Sequence, residues 1–417
     1  MTADTEEAPV IVIGAGIVGI CTALYLQRDG RHVTLIDPRE PGEACSSGNA
    51  GLLATGGVSP EAMPGILWKV PAMLRDPLGP LAIDWRYLPR IAPWLLRYIL
   101  SSRPSRVEQI SMGLAALAGQ VLPAYEPLLK NAGAVDMVRR TGWLHLYESE
   151  GAFKASLPAH AIRRSRGIRI DELGPDEIRQ MEPELAPIFA RGAFFPDYAH
   201  TVNPKRLAEV LAADFARNGG VISRETARGF VMTPHGPSAV ITEAGNRPAS
   251  QIVIAAGAWS KPLAAELGSR LPLDTERGYH VMLPDPGIAV RHPLCSTEGG
   301  FAITPMEHGL RIAGTVELAG MKAPPNPKRA AVMLTRAQRM LPSLKDSGRT
   351  EWMGFRPSLP DSLPAVGRSP RFFNVYFAFG HAHRGLSFAA ITGRLIADLM
   401  AGRKPVIDPA PYRADRF

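Results

Sequence analysis

The sequence contains little cysteine and no long apolar run. Its 417 residues include three scattered cysteines, Cys21, Cys45 and Cys295, and no C-x-x-C pair. This spacing argues against a disulfide framework, a disulfide redox pair and a cysteine-based metal site, and it favours a reducing compartment. No uninterrupted stretch of about 18 apolar residues occurs, so the sequence predicts no membrane-spanning helix.

Lysine is also scarce, although the chain is basic. The net charge is +8, yet only nine of the 47 basic residues are lysines. The arginines are dispersed in short pairs such as Arg139–Arg140, with no long basic tract. This dispersion indicates a compositional bias toward arginine and argues against nucleic acid as the main partner. Attraction to anionic substrates or to membrane lipid stays open as a second interpretation.

The first nine residues, MTADTEEAP, are acidic and polar, and they lack the basic and apolar regions of a secretory signal. Together with the unpaired cysteines, this segment favours a cytoplasmic protein. Hydrophobic residues make up 46% of the chain and charged residues 21%, as in an ordinary globular enzyme. The length predicts two domains, or one large domain with an insertion.

What the sequence does contain is a glycine-rich turn near its start. Gly14, Gly16 and Gly19 fill a G-x-G-x-x-G pattern after the apolar residues VIVI, and a helix and a second strand, HVTLID, follow. Gly14 permits a tight turn, Gly16 allows a pyrophosphate to approach the backbone, and Gly19 allows the helix to pack closely on the sheet. The second strand ends in Asp37, where a dinucleotide fold places the acid that binds an adenosine ribose. This segment therefore predicts a dinucleotide site.

Three further segments are spread along the chain. SSGNAGLL covers residues 46–53, IVIAAGAWS covers residues 252–260, and GFRPSLPDSLPAVG at 354–367 precedes GHAHRGLS at 380–387 and a helix pattern. In this order and spacing, the four pieces resemble the D-amino-acid oxidase family of FAD-dependent amine oxidoreductases. Within that family the chain looks most like the bacterial D-amino acid dehydrogenases, and the resemblance runs from residue 10 to the last residues.

The resemblance implies an α/β fold with an α+β second domain. A Rossmann-like FAD-binding domain would be assembled from residues 1–58, 200–272 and 352–417. A substrate domain with an antiparallel sheet would be formed by residues 59–199 and 273–351 and would cover the flavin ring.

The family pattern also implies which residues bind FAD. They comprise the glycine turn and the acid after it, the loop beside the pyrophosphate and flavin, an adenine contact, the strand end against the cofactor, and the start of the last helix. These residues are Gly14, Gly16, Gly19, Asp37, Pro38, Arg39, Ser47, Asn49, Ala50, Gly51, Ala227, Ala256, Gly257, Trp259, Gly380, His381, Gly385, Leu386 and Ser387. The last helix would direct its positive end at the flavin pyrimidine edge and stabilise reduced flavin.

The expected attachment of FAD is noncovalent. Some relatives bind flavin through a cysteine six residues before the proline of a Y-T-x-T-P segment. The comparable segment here is FAITP, and the counted position is Gly299, whereas Cys295 lies four residues away.

Three side chains are implied at the reacting end of the cofactor. Arg356, in GFRP, matches the family's carboxylate-binding arginine, and a guanidinium binds a carboxylate bidentately. Tyr279, in ERGYHV, would close over the substrate and hydrogen-bond its carboxylate. His383, with His381 as the other candidate, would contact the flavin or set substrate protonation near neutral pH. A surface arginine, a sheet tyrosine and a structural histidine are the competing interpretations.

The resemblance implies an enzyme of amino acid catabolism. The expected reaction is oxidative deamination of a D-amino acid, with a hydride passing from Cα to flavin N5 and electrons passing on to a quinone or another acceptor. The first alternative is a sarcosine, glycine, proline or hydroxyproline oxidase or dehydrogenase of the same family. An RNA-modifying flavoprotein, an NAD-only dehydrogenase and a noncatalytic flavin subunit are disfavoured.

One segment allows a membrane interpretation. Residues 87–102, YLPRIAPWLLRYILSS, combine arginines and aromatics with apolar positions. They form either a helix packed on a core or a surface for membrane lipid or a quinone-bearing partner. The expected location is therefore the cytoplasm, with peripheral contact to the inner membrane as an open question.

Overall fold

The computed structural model describes residues 8–65, 76 and 78–417, so most of the acidic N-terminal segment lies outside the described residues. A six-stranded sheet carries the glycine turn. In spatial order its strands are β10 (Val221–Ser223), β2 (Val33–Ile36), β1 (Val10–Ile13), β14 (Gln251–Ile254), β21 (Val375–Phe379) and β20 (Ala365–Arg368). The first five run parallel and β20 runs antiparallel to β21. The central strand β1 is wholly apolar and buried, as expected for a sheet covered on both faces.

Helices from distant parts of the chain pack beside this sheet. They are α1 (Ile17–Arg28), α4 (Val121–Ala132), α7 (Pro204–Arg217) and α10 (Gly385–Met400). α1 and α10 cross so closely that a Cβ at Gly393 would lie only 2.6 Å from the Cys21 carbonyl oxygen, and glycine is therefore needed at the crossing. A three-stranded antiparallel meander follows β10 and consists of β11 (Ala227–Thr233), β12 (Gly236–Thr242) and β13 (Gly245–Pro248).

A second, larger sheet is mostly antiparallel, as expected, and contains two parallel pairings. In order its strands are β19 (Thr350–Ser358), β15 (Asp274–Leu283), β18 (Gly309–Leu318), β17 (Phe301–Met306), β16 (Leu294–Ser296), β6 (Trp143–Tyr147), β8 (Arg191–Phe195) and β7 (Asp171–Leu173), with β4 (Leu81–Ile83) on β18. β16 pairs parallel with β6, and β18 with β4. These partners are far apart in the chain, so no hairpin forces them to be antiparallel. β19 belongs to this sheet, although most of its residues lie in the segment 352–417 that was expected in the FAD-binding domain.

The remaining elements connect the two sheets. β3 (Leu52–Leu53), β9 (Ala199–Thr201) and β5 (Val138–Arg139) form a small sheet. The other helices are α2 (Leu88–Ser101), α3 (Pro104–Ala118), α5 (Glu150–Ser165), α6 (Pro175–Met181), α8 (Ser260–Glu266) and α9 (Pro327–Met340). None of the helices in the described ranges is long and apolar enough to cross a membrane.

Candidate active site

A cavity of about 1220 Å³ is lined by both large sheets. One end lies at the carboxyl edge of the six-stranded sheet, against the turn from β1 into α1. The other end lies over the mixed sheet, where Gly300, Gly314 and Arg356 line it. Ligands of open parallel sheets bind at this carboxyl edge, and the cavity extends from there to the second sheet.

The three glycines of the turn meet different surroundings. Gly14 has a φ of +112°, and a Cβ there would lie 2.5 Å from the Ala255 carbonyl oxygen. A Cβ on Gly19 would lie 1.8 Å from the Gly14 carbonyl oxygen, so only glycine lets α1 start this close to the turn. Gly16 lines the cavity, and a Cβ there would meet only Ser46 Oγ, at 3.5 Å. Gly16 therefore leaves space on the cavity side, whereas Gly14 and Gly19 serve backbone packing.

Asp37 holds the turn together from the end of β2. Its Oδ2 accepts a hydrogen bond from the Ala15 N–H at 2.9 Å, and its Oδ1 accepts one from the Arg39 N–H at 2.9 Å. The carboxylate therefore reaches the cavity in one fixed orientation. Ser46, which the sequence did not single out, accepts the Ile17 N–H on its Oγ at 3.0 Å and so occupies one N–H of the first turn of α1.

The loop after β2 is bent around Asn49. Asn49 Oδ1 accepts the Gly51 N–H at 2.8 Å, and Gly51 has a φ of +78° that favours glycine. Asn49 and Ala50 line the cavity. Ser47 does not, and its hydroxyl donates instead to the carbonyls of the preceding turn.

Arg311, on β18, fixes this loop from behind and was not anticipated. Its Nη1 donates to the carbonyl oxygens of Ser47 at 2.9 Å and Asn49 at 2.7 Å. Burial lowers the pKa of the Arg311 guanidinium to about 10. No motif marks Arg311 in the sequence, because its role depends on where β18 passes the loop.

The wall between the two ends is formed by the strand end after β14 and by the meander. Ala227, Ala256, Gly257 and Trp259 line the cavity together with Pro38. The guanidinium of Arg39 lies 4.7 Å from the centre of the Trp259 ring, which closes this wall with a cation–π contact.

The last helix begins in the cavity wall. Gly385, Leu386 and Ser387 line the cavity, and no side chain caps the first turn of α10. Ser387 Oγ accepts the Ala54 N–H at 2.9 Å. His381 is buried, its Nε2 lies 2.9 Å from Thr392 Oγ1, and burial lowers its pKa to about 3, so the ring is neutral.

The structure brings most of the predicted cofactor residues to one cavity. Within the described part of the chain, the predicted residues that do not line it are Gly19, Ser47, Gly51 and Gly380. Gly380 has a φ of +86°, and a Cβ there would lie 2.6 Å from a Leu359 methyl carbon, so it is needed for the turn after β21. These four positions shape the backbone behind the cavity.

Arg356 lies at the far end of the cavity on β19. Its Nη1 donates to the Thr315 carbonyl at 2.8 Å and its Nη2 to the Gly314 carbonyl at 3.2 Å. Within the described residues no carboxylate forms an ion pair with it. A Cβ at Gly278 would lie 2.1 Å from Nη2, so glycine is needed beneath the guanidinium. Thr315 has a φ of +54°, an uncommon conformation for a β-branched residue and a sign of backbone strain at this site.

Tyr279 lines the cavity, but its hydroxyl is bound by other protein groups. Its hydroxyl donates to Glu317 Oε2 at 2.6 Å and accepts the Asn326 N–H at 3.0 Å. Tyr279 is also buried in the apolar core of the mixed sheet, which includes residues of α9. The role expected for Tyr279, a phenol that closes over the substrate and hydrogen-bonds its carboxylate, stays a prediction, and in this structure its hydroxyl binds Glu317 and Asn326.

Glu276 is a cavity residue that the sequence did not reveal. It is buried, and its Oε1 accepts the Ser358 hydroxyl at 2.6 Å. Burial raises the pKa of the Glu276 carboxyl, and the neighbouring Glu61 carboxylate adds to that increase. Glu276 pairs with Arg356 across the two strands.

His383 contacts a carboxylate that also binds Arg384. His383 Nε2 lies 3.2 Å from Glu61 Oε1, and Arg384 Nη2 lies 2.7 Å from the same oxygen. Burial in the cavity wall lowers the pKa of His383 to about 4, although Glu61 opposes this shift. Burial would raise the pKa of Glu61, but the charges of His383 and Arg384 outweigh it and hold the pKa below its usual value. This low pKa argues against the expected titration of His383 near neutral pH.

This pair leads to a pH prediction. With a pKa near 4, His383 is neutral from pH 6 to 9, so replacing it should leave the positions of any inflections in kcat/KM unchanged over that range. We expect His383→Asn to change the height of the pH profile but not its shape. Steady-state rates of the flavin-loaded wild type and variant, measured every half pH unit, provide the test. A limb near pH 6–7 that disappears in the variant would contradict the prediction.

The cavity fits an FAD molecule. Two helix N-termini face it, at α1 and α10, and each supplies backbone N–H groups and a partial positive charge. The approach at Gly16 is open on the side where any other residue would carry a Cβ. The dinucleotide portion would be held by Gly14, Gly16, Asp37 and the loop at Asn49. The flavin would be enclosed by two separate parts of the cavity wall, the strand end at Ala256 and the start of α10 at Ser387.

Comparison with known proteins identifies the class. Residues 9–399 match the family model DAO, described as FAD dependent oxidoreductase. The chain belongs to this family and is an FAD-dependent oxidoreductase, which confirms the resemblance seen in the sequence.

Individual relatives narrow the class. A D-amino-acid oxidase of Bradyrhizobium diazoefficiens is 41% identical over 419 residues and covers 99% of both chains. A D-amino acid dehydrogenase of Chromohalobacter salexigens is 30% identical and covers 98% of this chain and 99% of its own. The protein is therefore a member of the amino acid oxidase and dehydrogenase group.

Solved structures agree on the fold. L-proline dehydrogenase from P. horikoshii aligns with a TM-score of 0.75 at 18% identity, covering 99% of this chain and 98% of its own. Glycine oxidase from Geobacillus kaustophilus aligns with a TM-score of 0.73 at 22% identity, covering 99% of this chain and 100% of its own. At these identities the likeness shows the fold alone.

Proposed function

We propose that the protein catalyses oxidative deamination of D-amino acids. The observation that supports this most directly is Arg356, a guanidinium at the reacting end of the cavity with no acidic partner among the described residues. It suits an α-carboxylate, which it would bind and orient bidentately. When bound, FAD supplies the two-electron acceptor. The names of the relatives above support the D-amino acid as substrate.

The residues around Arg356 would prepare the substrate. Glu276 lies opposite Arg356 on the neighbouring strand, and burial followed by the Glu61 carboxylate raises its pKa. A neutral His383 beside Glu61 carries its proton on Nε2, which fixes the orientation of the ring in the cavity wall. Trp94 and Tyr98 of α2 line the cavity and would exclude water.

We further propose a quinone or another non-oxygen acceptor. α2 and its flanks expose Trp85 (65%) and Leu96 (59%), while Arg90 and Arg97 are also exposed. Exposed aromatic and aliphatic groups beside arginines suit peripheral contact with an anionic lipid surface. Oxygen is the competing acceptor, since one relative is named an oxidase.

Anaerobic mixing tests the reaction. The flavin-loaded protein is mixed with D-amino acids, their L-enantiomers, glycine, sarcosine and proline, and bleaching of the flavin band is followed. We expect bleaching by D-amino acids, and reoxidation by a soluble quinone faster than by air. Bleaching by L-amino acids alone would overturn the proposal. Bleaching by glycine, sarcosine or proline alone would favour the other amine oxidases of the family, and rapid hydrogen peroxide formation in air would identify an oxidase.

A further inference from the structure

The cavity holds a second guanidinium, that of Arg163 on α5. Arg163 lines the cavity, and its guanidinium lies 5.5 Å from the centre of the Phe195 ring. No carboxylate among the described residues lies within ion-pair distance, and Nε is buried with no hydrogen-bond partner there. The adjacent Arg164 contrasts with it, since that side chain points outward and pairs with Glu172 at 2.5 Å. Arg163 is half-buried, and a guanidinium with a buried, unpaired Nε and no counter-ion is costly, so Arg163 marks a place for an anion.

The surroundings of Arg163 are neutral and polar. The cavity wall beside Arg163 includes Tyr198, His145 and Cys295, and the charge of Arg163 acts to lower the pKa of each of these groups. Burial and the Arg163 charge lower the pKa of His145 to about 3, so its imidazole is uncharged. The Tyr198 phenol supplies a further hydrogen-bond donor. A guanidinium beside a phenol is a suitable pair of donors for a carboxylate.

The cavity acids are bound by other groups. Glu61 is paired with Arg384, Glu276 accepts the Ser358 hydroxyl, and Asp37 belongs to the glycine turn at the opposite end. Among the described residues, neither Arg356 nor Arg163 therefore has a carboxylate within ion-pair distance, although both line the cavity. An α-amino acid with a neutral amine carries one negative charge, and a second carboxylate would balance the second guanidinium.

The strand order gives the spacing of the two sheet positions beside which the guanidinium groups lie. Arg356 reaches the carbonyls of β18, and Cys295, beside Arg163, lies on β16. β17 lies between these strands, so two strand spacings, about 10 Å, separate the positions. The floor between them is formed by Ala302 and Ala313, which pair with each other, and Ala302 also pairs with Cys295. These small side chains leave room for a short aliphatic chain between the two cations.

We propose that Arg163 binds the side-chain carboxylate of a dicarboxylic amino acid whose α-carboxylate lies on Arg356. This inference rests on the proposed function and specifies its substrate class. The subsite selects aspartate-, glutamate- or aminoadipate-like substrates over neutral ones, and the spacing selects among these chain lengths.

The test compares an acid with its amide. We expect kcat/KM for D-glutamate to exceed that for D-glutamine in the wild type. In Arg163→Gln the ratio of the two should fall about 30- to 100-fold, as expected for loss of a charge-assisted hydrogen-bonded pair. Arg163→Lys should recover part of the ratio. Arg164→Gln, the adjacent surface arginine, should keep the wild-type ratio. D-aspartate and D-2-aminoadipate report the preferred chain length.

The possible outcomes separate the two proposals. If no D-amino acid bleaches the flavin, the proposed function fails. If D-glutamine is oxidised as well as D-glutamate by the wild type, or if Arg163→Gln leaves the ratio unchanged, the subsite is overturned while the proposed function stands. Flavin content and the absorption spectrum of each variant are measured first. Should Arg163→Gln fail to retain flavin, the wild-type ratio and the Arg163→Lys ratio still decide the question.

Discussion

Arg356→Ala is expected to lower kcat/KM for the amino acid substrate by roughly 2–4 kcal/mol, or about 30- to 1000-fold, because a desolvated charge-assisted pair is lost. The guanidinium is already fixed by the Thr315 and Gly314 carbonyls, so it binds the carboxylate without reorganising. Flavin content should be unchanged, since Arg356 lies at the end opposite the glycine turn. Steady-state kinetics on flavin-loaded protein measure the effect.

Two matched variants make the Arg356 result interpretable. Arg356→Lys keeps the charge but loses the bidentate geometry, so its kcat/KM should fall between the wild-type and alanine values. Arg368→Ala removes an exposed arginine from the end of β20 and should leave kcat/KM unchanged. Equal kcat/KM for wild type and Arg356→Ala would remove Arg356 from the substrate site.

The sequence predicted the cofactor end of the site better than the reacting end. Gly14, Gly16 and Asp37 lie within one βαβ unit, where short-range spacing fixes the geometry, and all three line the cavity. Arg311 and Arg163 each belong to a different distant element, and neither stands in a motif. Each is one of 38 arginines, and only the tertiary structure shows which of them lack an acidic partner.

Tyr279 shows why a residue on a strand is hard to assign from sequence. Period-two alternation would place Glu276 and Tyr279 on opposite faces of β15, yet both residues line the cavity. The register of β15 against β18 shifts between Arg277 and Tyr279, and a sequence pattern does not reveal such an irregularity.

The glycine turn offers the other large effect, and two of its glycines separate folding from cofactor binding. A Cβ on Gly19 would lie 1.8 Å from the Gly14 carbonyl oxygen, a backbone atom that cannot move without displacing β1 or α1. We expect Gly19→Ala to destabilise the apoprotein by about 3 kcal/mol, at the upper end of the usual cost of overpacking, and to abolish FAD retention. Differential scanning calorimetry of the apoprotein and the flavin content after purification measure the two effects.

Gly16→Ala is the matched control, because it adds the same methyl group on the cavity side. The new Cβ would meet only Ser46 Oγ at 3.5 Å, an ordinary contact, and the φ of −71° at Gly16 suits alanine. The apoprotein should therefore melt as the wild type does, whereas FAD affinity should fall at least tenfold, because the methyl group stands where the pyrophosphate approaches the backbone. Wild-type FAD affinity in Gly16→Ala would place the pyrophosphate elsewhere, and wild-type stability in Gly19→Ala would mean that α1 can shift away from the turn at little cost.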